Sequence, residues 1–364
     1  MSEVPDPRSE RCRRHKLIDI LVIAVLAVIC GAEGFTEMEE FGYARKRRLK
    51  KFLELPGGIP SHDTFGRVFA QLNPTAFEQG FARWVTGVLQ QFTGEVVALE
   101  GKKLRRSYDT EAGQDPITLV STWASAQRLT LGQVKVGEGT NEIKAIPALL
   151  EALELAGCIV TVDALKTQQE IASQLREKKA DDVMAVKGKH KRRQEEVASL
   201  LAAVREDRTY GYKIETTRSI DKGDGRIEER TCWHVCAPPE RFSEGCQWKD
   251  LKSVAMIETR REEGEKVSRK VRYYLSSLEV DAEQMNEVIR THWTIENSCH
   301  WVLDVVFRED DSRVRVGHAA QNLALVRRVA LSRLSREKSC KRGVKTKRMK
   351  AALELQYLLK VLQT

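Results

Sequence analysis

The stretch Ile289–Ser312, IRTHWTIENSCHWVLDVVFREDDS, constrains this chain more than any other. Read as one helix, it sets His292, Glu296, His300 and Asp304 four residues apart and stacks them on a single face. Trp293, Val302 and Val306 then fall elsewhere on the cylinder and can pack against a core. Two carboxylates and two imidazoles in a row admit two readings. One is a solvated stripe of local ion pairs; the other makes Glu296 a metal ligand whose neighbours line the same cleft. A single helix cannot complete a catalytic metal site, so the second reading requires acids from elsewhere in the chain.

Charge says what such a site would face. The 364 residues suffice for two or three compact units, and 41% apolar with 31% charged residues can bury a real core. The formal charge is +9, and it is unevenly placed. Arg327–Lys350 carries 11 Lys or Arg against one acid, Glu337, a local +10 that leaves the remainder near −1. A phosphate backbone is the natural partner of such a segment, a solubilising tail the alternative. The eight scattered cysteines suit reduced thiols in a cytosol better than a disulfide framework. Cys232, His234, Cys236 and Cys246 cluster loosely, without a standard zinc spacing. The apolar run Leu17–Cys30 falls short of the roughly 18–20 residues that span a bilayer, and Asp19 interrupts it. It predicts a buried helix, with no membrane partner.

Residues 1–15 read as an extended polar arm, and helical periodicity then covers Leu17–Cys30, Thr36–Phe52, Asp63–Gln71 and Pro74–Phe92. Ser61, Asp63 and Asn73-Pro74 supply helix starts, and Leu55–Thr64 is a turn-rich connector. The basic run Arg45–Lys51 suits either DNA or solvent. From Glu95 the period changes. Val96–Glu100, Ile117–Ala124, Leu129–Val136, Cys158–Val162 and Asp182–Val186 read as strands, with helices at Asn141–Leu155 and Thr167–Lys178. That order is α/β with a central sheet. A basic helix, Lys189–Arg205, precedes a β-rich stretch including Arg230–Val235, Ser253–Glu258 and Val267–Leu275. Helix resumes at Asp281 and, after a break near Gly317, runs to the C-terminus. The divisions expected are an arm (1–15), a helical N-terminal domain (16–92), a core (93–207 and 281–326), a β-rich insertion (208–280) and a basic helical segment (327–364).

Three acids stand out by position: Glu100 ends the first strand, Asp163 ends the fourth, and Glu296 lies beyond the insertion. Ligands gather at the C-terminal ends of strands in open α/β sheets. Three carboxylates drawn together repel unless cations neutralise them, and hard divalent ions accept such ligands while keeping places for phosphate oxygens and water. Two ions about 4 Å apart can serve an in-line displacement at phosphorus.

The stretches HKLIDILVIAVLAVICGAEGF, GIPSHDTFGRVF, GQVKVGEGTNEIKAIPALL, IVTVDA, RYYLSSL, HWTIENSCHWVLDVVFREDDSR and KRGVKTKRMKAA resemble bacterial insertion-sequence transposases of the H-repeat-associated, ISAs type, in the same order over nearly the whole chain. The resemblance implies a ribonuclease-H-like catalytic core of the DDE class with a β-rich insertion, preceded by a small all-helical domain. It implies Glu100, Asp163 and Glu296 as the catalytic, metal-holding triad, with Mg²⁺ (Mn²⁺ as substitute), two ions in all. It also implies double-stranded DNA as partner, both element ends and target, a homodimer at synapsis, and a bacterial cytoplasmic, nucleoid-associated setting. Lys102, Lys103, Lys166, His292, His300, Arg327, Arg328, Lys341, Arg342, Lys345, Lys347 and Arg348 are the expected DNA contacts. His292 and His300 serve alternatively to position Glu296, and Asp304 is a candidate auxiliary ligand. Trp293, Trp301, Trp233 and Trp248 are expected in core, with base stacking by one of the first two as the alternative.

Two departures from the family pattern bear on activity. The first acid is Glu100 in Glu-Gly-Lys, where the family has aspartate, and Leu165-Lys166-Thr167 replaces methionine-glycine-cysteine after the second. One extra methylene moves a carboxylate roughly 1 Å, a misplacement that can cost about 100-fold in rate. The alternative function is therefore a catalytically impaired, transposase-derived DNA-binding protein.

Overall fold

The computed structural model describes residues 4–88, 93–110, 113–206, 211–223, 225–237, 242 and 248–364. In chain order the helical lead is α1 (Leu17–Ile29), α2 (Phe35–Leu49), α3 (His62–Gln71) and α4 (Pro74–Val88). Then come β1 (Val96–Lys103), β2 (Thr118–Ala124), β3 (Leu129–Lys135), α5 (Glu142–Glu151), β4 (Ile159–Val162), α6 (Gln169–Glu177), β5 (Asp181–Val186) and α7 (Lys191–Arg205). Four long strands follow: β6 (Ile214–Gly223), β7 (Arg226–Cys236), β8 (Ser253–Glu263) and β9 (Lys266–Ser276). The chain ends with α8 (Ala282–His292), α9 (Trp301–Val305), α10 (Ala319–Arg336), α11 (Val344–Leu353) and α12 (Leu355–Gln363). The end of the expected fourth helix, at residues 89–92, lies outside the described residues.

Hydrogen bonding orders the strands β3-β2-β1-β4-β5-β9-β8-β7-β6. β2 and β3 form an antiparallel hairpin, whereas β1–β4 and β4–β5 are parallel. The order 3-2-1-4-5 is the ribonuclease-H-like arrangement. β9 joins β5 antiparallel, so the β-rich insertion continues the core sheet as a meander.

The chain divides into two compact units, each described in turn. The first comprises Met1–Gln90, Gly101–Leu153 and Ile295–Thr364. Its centre is α10, packed against α1, α3 and β3 and buried along most of its length. α1 is apolar on every side because it is enclosed on every side: Ile20, Leu21, Ile23, Ala24, Ala27 and Ile29 are fully buried. The acid that interrupts this run is used. Asp19, also buried, accepts the Leu55 N–H at 2.9 Å and so fixes the connector where Leu55 takes a left-handed φ of 47°. Ser61, Asn73 and Asn141 accept backbone N–H bonds at the starts of α3, α4 and α5. No helix among the described residues is long and apolar enough to cross a membrane.

The second unit comprises Gln91–Glu100 and Glu154–Thr294. Its core joins Ile159 and Val183 of the parallel strands to Cys232, Ala255, Ile257 and Tyr274 of the meander. α8 covers this face with Ala282, Met285, Val288 and Ile289. β4 is buried at all four positions, which is why it reads as a continuous apolar run. His234 is a core histidine: its ring nitrogens meet the Asp281 backbone at 2.9 Å and Ser253 Oγ at 2.7 Å. Cys246, of the loose cluster around it, lies outside the described residues.

Candidate active site

β1 and β4 run parallel with Leu99 opposite Val162, so Glu100 and Asp163 follow at the same level. Asp163 lies just past β4, whereas β1 runs on to Lys103 and Glu100 stands within it, not at its end as expected. Their positions follow from sequence alone once the two apolar strands are placed. Between them stands Lys166. Its Nζ donates to Glu100 Oε1 at 2.5 Å and lies 3.9 Å from Asp163 Oδ2. The lysine side chain is only 4% exposed, those of Glu100 and Asp163 15% and 31%. The turn that aims it is tight. Lys166 and Thr167 N–H groups bond to the Asp163 carbonyl at 2.9 and 3.1 Å, and the Thr167 hydroxyl reaches the Ala185 carbonyl at 2.7 Å. Two hard oxygen donors thus converge on one positive centre, a donor set that suits Mg²⁺, which takes one or two carboxylates and completes its shell with water and phosphate. Among the described residues no three His, Cys, Asp or Glu side chains are grouped to hold a metal.

Other groups line a cleft of about 480 Å³ at this end of β4 and β5. Asp163, Lys187, Gln194, Lys270, Arg272 and Trp293 are among its walls, and the Arg272 guanidinium lies 5.0 Å from the Trp293 ring centroid. Trp293 is 40% exposed, so it is a wall of the cleft and not the core residue expected of it. Sequence reading missed Lys187, Lys270 and Arg272; only the pairing of β9 with β5 brings the last two here. His292 is buried, with Nδ1 2.8 Å from Thr161 Oγ1, two residues before Asp163, and so ties the end of α8 to β4.

Glu296 belongs to the first unit. The helical stripe expected around it is not continuous: Glu296–His300 forms a π-helical turn, with the Trp301 N–H bonded to the Glu296 carbonyl, before α9 begins. A wider turn breaks the four-residue stacking, and such turns recur at functional sites. The Glu296 side chain is 53% exposed and its Oε2 lies 3.5 Å from Nδ1 of buried His300. Trp301, expected in core, is 56% exposed. Gly101, just past Glu100, lies against the Glu142 carboxylate: a Cβ there would stand 2.2 Å from Glu142 Oε2 and would make that side chain shift.

Lys102 does not face solvent. It is 8% exposed and its Nζ meets Asp304 Oδ1 at 2.5 Å, Asp310 Oδ1 at 3.0 Å and Glu309 Oε2 at 3.7 Å. Burial opposes its charge, but Glu309, Asp304 and Asp310 outweigh burial and raise its pKa above the ordinary lysine range. Burial likewise opposes the Glu309 carboxylate, yet Arg328 and Lys102 hold its pKa low. Asp304 is therefore an ion-pair partner of Lys102 in this structure.

Besides Lys102, Lys166, His292 and His300, four more of the residues expected on DNA are buried. Arg328 is fully buried against Glu309 at 3.0 Å, and Arg327 donates to the Glu33 carbonyl at 3.0 Å. Lys347 donates to the Leu334 carbonyl at 2.8 Å and to that of Glu337, while Arg348 binds the Val28 carbonyl at 2.9 Å and that of Val306. These cations satisfy helix-end carbonyls and a buried acid, leaving no surface for a phosphate. Lys103, Lys341, Arg342 and Lys345 remain exposed.

The family model described as Transposase DDE domain matches residues 86–333, and the one described as DDE_Tnp_1-associated matches residues 1–85. The chain belongs to the DDE transposase family. It is 38% identical over 369 residues to YncI of Escherichia coli O157:H7, named as a transposase, covering 100% of this chain and 93% of that protein. It is 36% identical over 368 residues to YhhI of Escherichia coli strain K12, named as an H repeat-associated transposase, covering 100% and 96%. A further K12 protein, YbfL, is 34% identical over 368 residues, covering 100% and 96%. DDE transposases as a family use divalent metal ions.

Proposed function

We propose that this insertion-sequence transposase binds the ends of its element, cuts a strand there and joins the freed 3′-hydroxyl to target DNA, with Glu100, Asp163 and Glu296 as the metal-holding acids. The observation that carries the reading is the convergence of Glu100, on β1, and Asp163, just past the adjacent parallel β4, on one cationic atom. When bound, divalent ions (Mg²⁺ or Mn²⁺, two of them) lower the pKa of the attacking water or hydroxyl and stabilise the leaving oxygen.

The chain's own residues do the rest. Lys187, Lys270 and Arg272 set positive charge beside Asp163 to draw in the phosphate backbone, and the exposed face of Trp293 offers a base a stacking surface. Lys103, Lys341, Arg342 and Lys345 extend the basic surface. His292, through Thr161, keeps β4 and α8 in register, and His300 orients the Glu296 carboxylate. Two ends must meet, so the working form is a synapsed homodimer, acting in the bacterial cytoplasm on nucleoid DNA. The division into arm, helical domain, core, insertion and basic segment belongs to the same proposal.

The test is strand cleavage of element-end DNA with Mg²⁺ or Mn²⁺. The unaltered chain cleaves, and Glu296→Ala lowers the rate by about 10³-fold or more, consistent with loss of several kcal/mol of transition-state stabilisation. The second reading, a DNA-binding protein with impaired chemistry, is favoured by the ammonium seated between Glu100 and Asp163. Binding without cleavage, with cleavage appearing only in Glu100→Asp, would establish that reading instead.

A further inference from the structure

Lys166 is the one residue whose placement the proposed chemistry does not explain. A lysine held for DNA would reach outward, but this side chain is enclosed and its Nζ points at the acids that would hold metal. The backbone is shaped to keep it there, through the paired N–H bonds to the Asp163 carbonyl and the Thr167 hydroxyl that pins the turn to β5. A residue placed by chance on a turn would be free to swing; this one is fixed at both ends. Two carboxylates brought together on neighbouring strands repel, and one cation between them removes that repulsion.

We infer that Lys166 is the resident counter-ion of the Glu100–Asp163 pair, seated where a divalent ion would bind, so that metal loading is a displacement and not a simple association. The inference rests on the reading of Glu100 and Asp163 as metal-holding acids. Its consequence is thermodynamic. An incoming ion has to break the 2.5 Å contact to Glu100 and move a bulky ammonium out of an enclosed space, so the pair binds metal more weakly than its two carboxylates alone would. In exchange the acids stay assembled when no metal is bound. Once displaced, the ammonium lies beside the reacting site, where a DNA phosphate can receive it.

The experiment is a titration of the full chain with Mn²⁺, following the free-ion electron paramagnetic resonance signal, alongside thermal unfolding with and without Mn²⁺. Lys166→Met and Lys166→Gln are compared with the unaltered chain, with Lys166→Arg retaining the charge and Asp163→Ala removing the site. The expected result is Mn²⁺ affinity higher by on the order of tenfold in the Met and Gln variants, unchanged in the Arg variant, and lost in Asp163→Ala. The unfolding midpoint of Lys166→Met without metal falls below that of the unaltered chain, and Mn²⁺ raises it by more. In a Glu100→Gln background the gain from removing Lys166 disappears. Equal or weaker Mn²⁺ binding by both neutral variants overturns the inference and leaves the transposase reading standing. Absence of Mn²⁺ binding in every form overturns the assignment of the pair as metal ligands along with it. If Lys166→Met does not fold, Lys166→Gln decides.

Discussion

Lys102 and Lys166 are both buried among acids, and they behave as opposites. Lys102, in the first unit, meets Asp304, Asp310 and Glu309, and that cluster closes on itself through Arg105 on Asp310 and Arg328 on Glu309. Three carboxylates and three cations balance, and the innermost pair, Glu309 and Arg328, is fully enclosed. Lys166, in the second unit, meets Glu100 and lies 3.9 Å from Asp163. A closed, balanced set of charges is architecture, since every member is needed by the others. A pair of acids at the proposed metal site, with a lysine seated between them, is a place where an ion can replace a side chain. The same ionic chemistry is read differently because of who else is present: the Lys102 set is anchored on the fully buried Glu309–Arg328 pair.

The comparison breaks most visibly at Glu309. Glu309→Gln strands Arg328, whose Nε and Nη2 already lack hydrogen-bond partners among the described residues. Removing one member of a buried ion pair costs about 3–5 kcal/mol. Urea unfolding should show a loss of that size, and Mg²⁺ should recover none of it, in contrast to the metal-dependent recovery expected of Lys166→Met. Recovery of Glu309→Gln by Mg²⁺ would mean that the Lys102 cluster is itself an ion site.

What the sequence allowed and what it hid follow the same division between local and distant causes. α1, β1 and β4 were legible because a fully enclosed element writes its burial into consecutive residues: Leu17–Ile29, Val96–Leu99 and Ile159–Val162 are almost unbrokenly apolar. With β1 and β4 placed, Glu100 and Asp163 could be put one residue beyond Leu99 and Val162, although β1 itself runs on to Lys103. The π turn at Glu296 left no such trace, because one extra residue in a turn is selected by packing and not by local propensity. Nor did the interior cations. Arg348 reaches carbonyls 320 residues away in the chain, so its basic neighbourhood read as surface when half of it was structure. The tryptophans erred in the other direction. Trp293 and Trp301 were expected in the core, yet both are exposed, Trp293 as a wall of the cleft. The partnership of β9 with β5, which carries Lys270 and Arg272 to the cleft, is likewise non-local.

Asp182 sharpens the comparison by supplying an acid without a cation of its own. It is fully buried on β5, where both side-chain oxygens are cut off from solvent. Burial pushes its pKa up to about 7, with Ser277 and then the charge of Arg176 opposing only in part. The folded state therefore holds a proton that the unfolded chain, with an ordinary carboxyl near 3.8, releases earlier. Its contribution to stability is complete below about pH 4 and is lost as pH rises through 7. Asp182→Asn should flatten that decline and leave the variant more stable than the unaltered chain at pH 8, by on the order of 1–3 kcal/mol. Guanidinium unfolding at pH 5 and pH 8 reads the difference. A decline of the same slope in the variant would place the titrating group elsewhere; Glu78, also raised to about 7 by burial, would be examined next.

The smallest effect concerns the converse case, cations without acids. Lys341, Arg342 and Lys345 are exposed, whereas Lys347 and Arg348 of the same segment are enclosed. If the outward set meets DNA, each phosphate contact releases counter-ions, and the logarithm of affinity falls with the logarithm of salt by about 0.9 per contact. Arg342→Ala and Lys345→Ala should then each reduce that slope by about 1 while leaving unfolding unchanged. Arg348→Ala should do the reverse. It removes a guanidinium that binds carbonyls of α1 and Val306, so it lowers stability, but the protein that remains folded should keep the unaltered slope. Fluorescence anisotropy of element-end DNA from 50 to 300 mM salt, on the order of the range where such slopes are resolved, measures both. A slope that fell with Arg348→Ala and held with Lys345→Ala would turn the segment inside out: the buried cations would have to emerge on DNA, and the basic tail would be a contact that forms only in the complex.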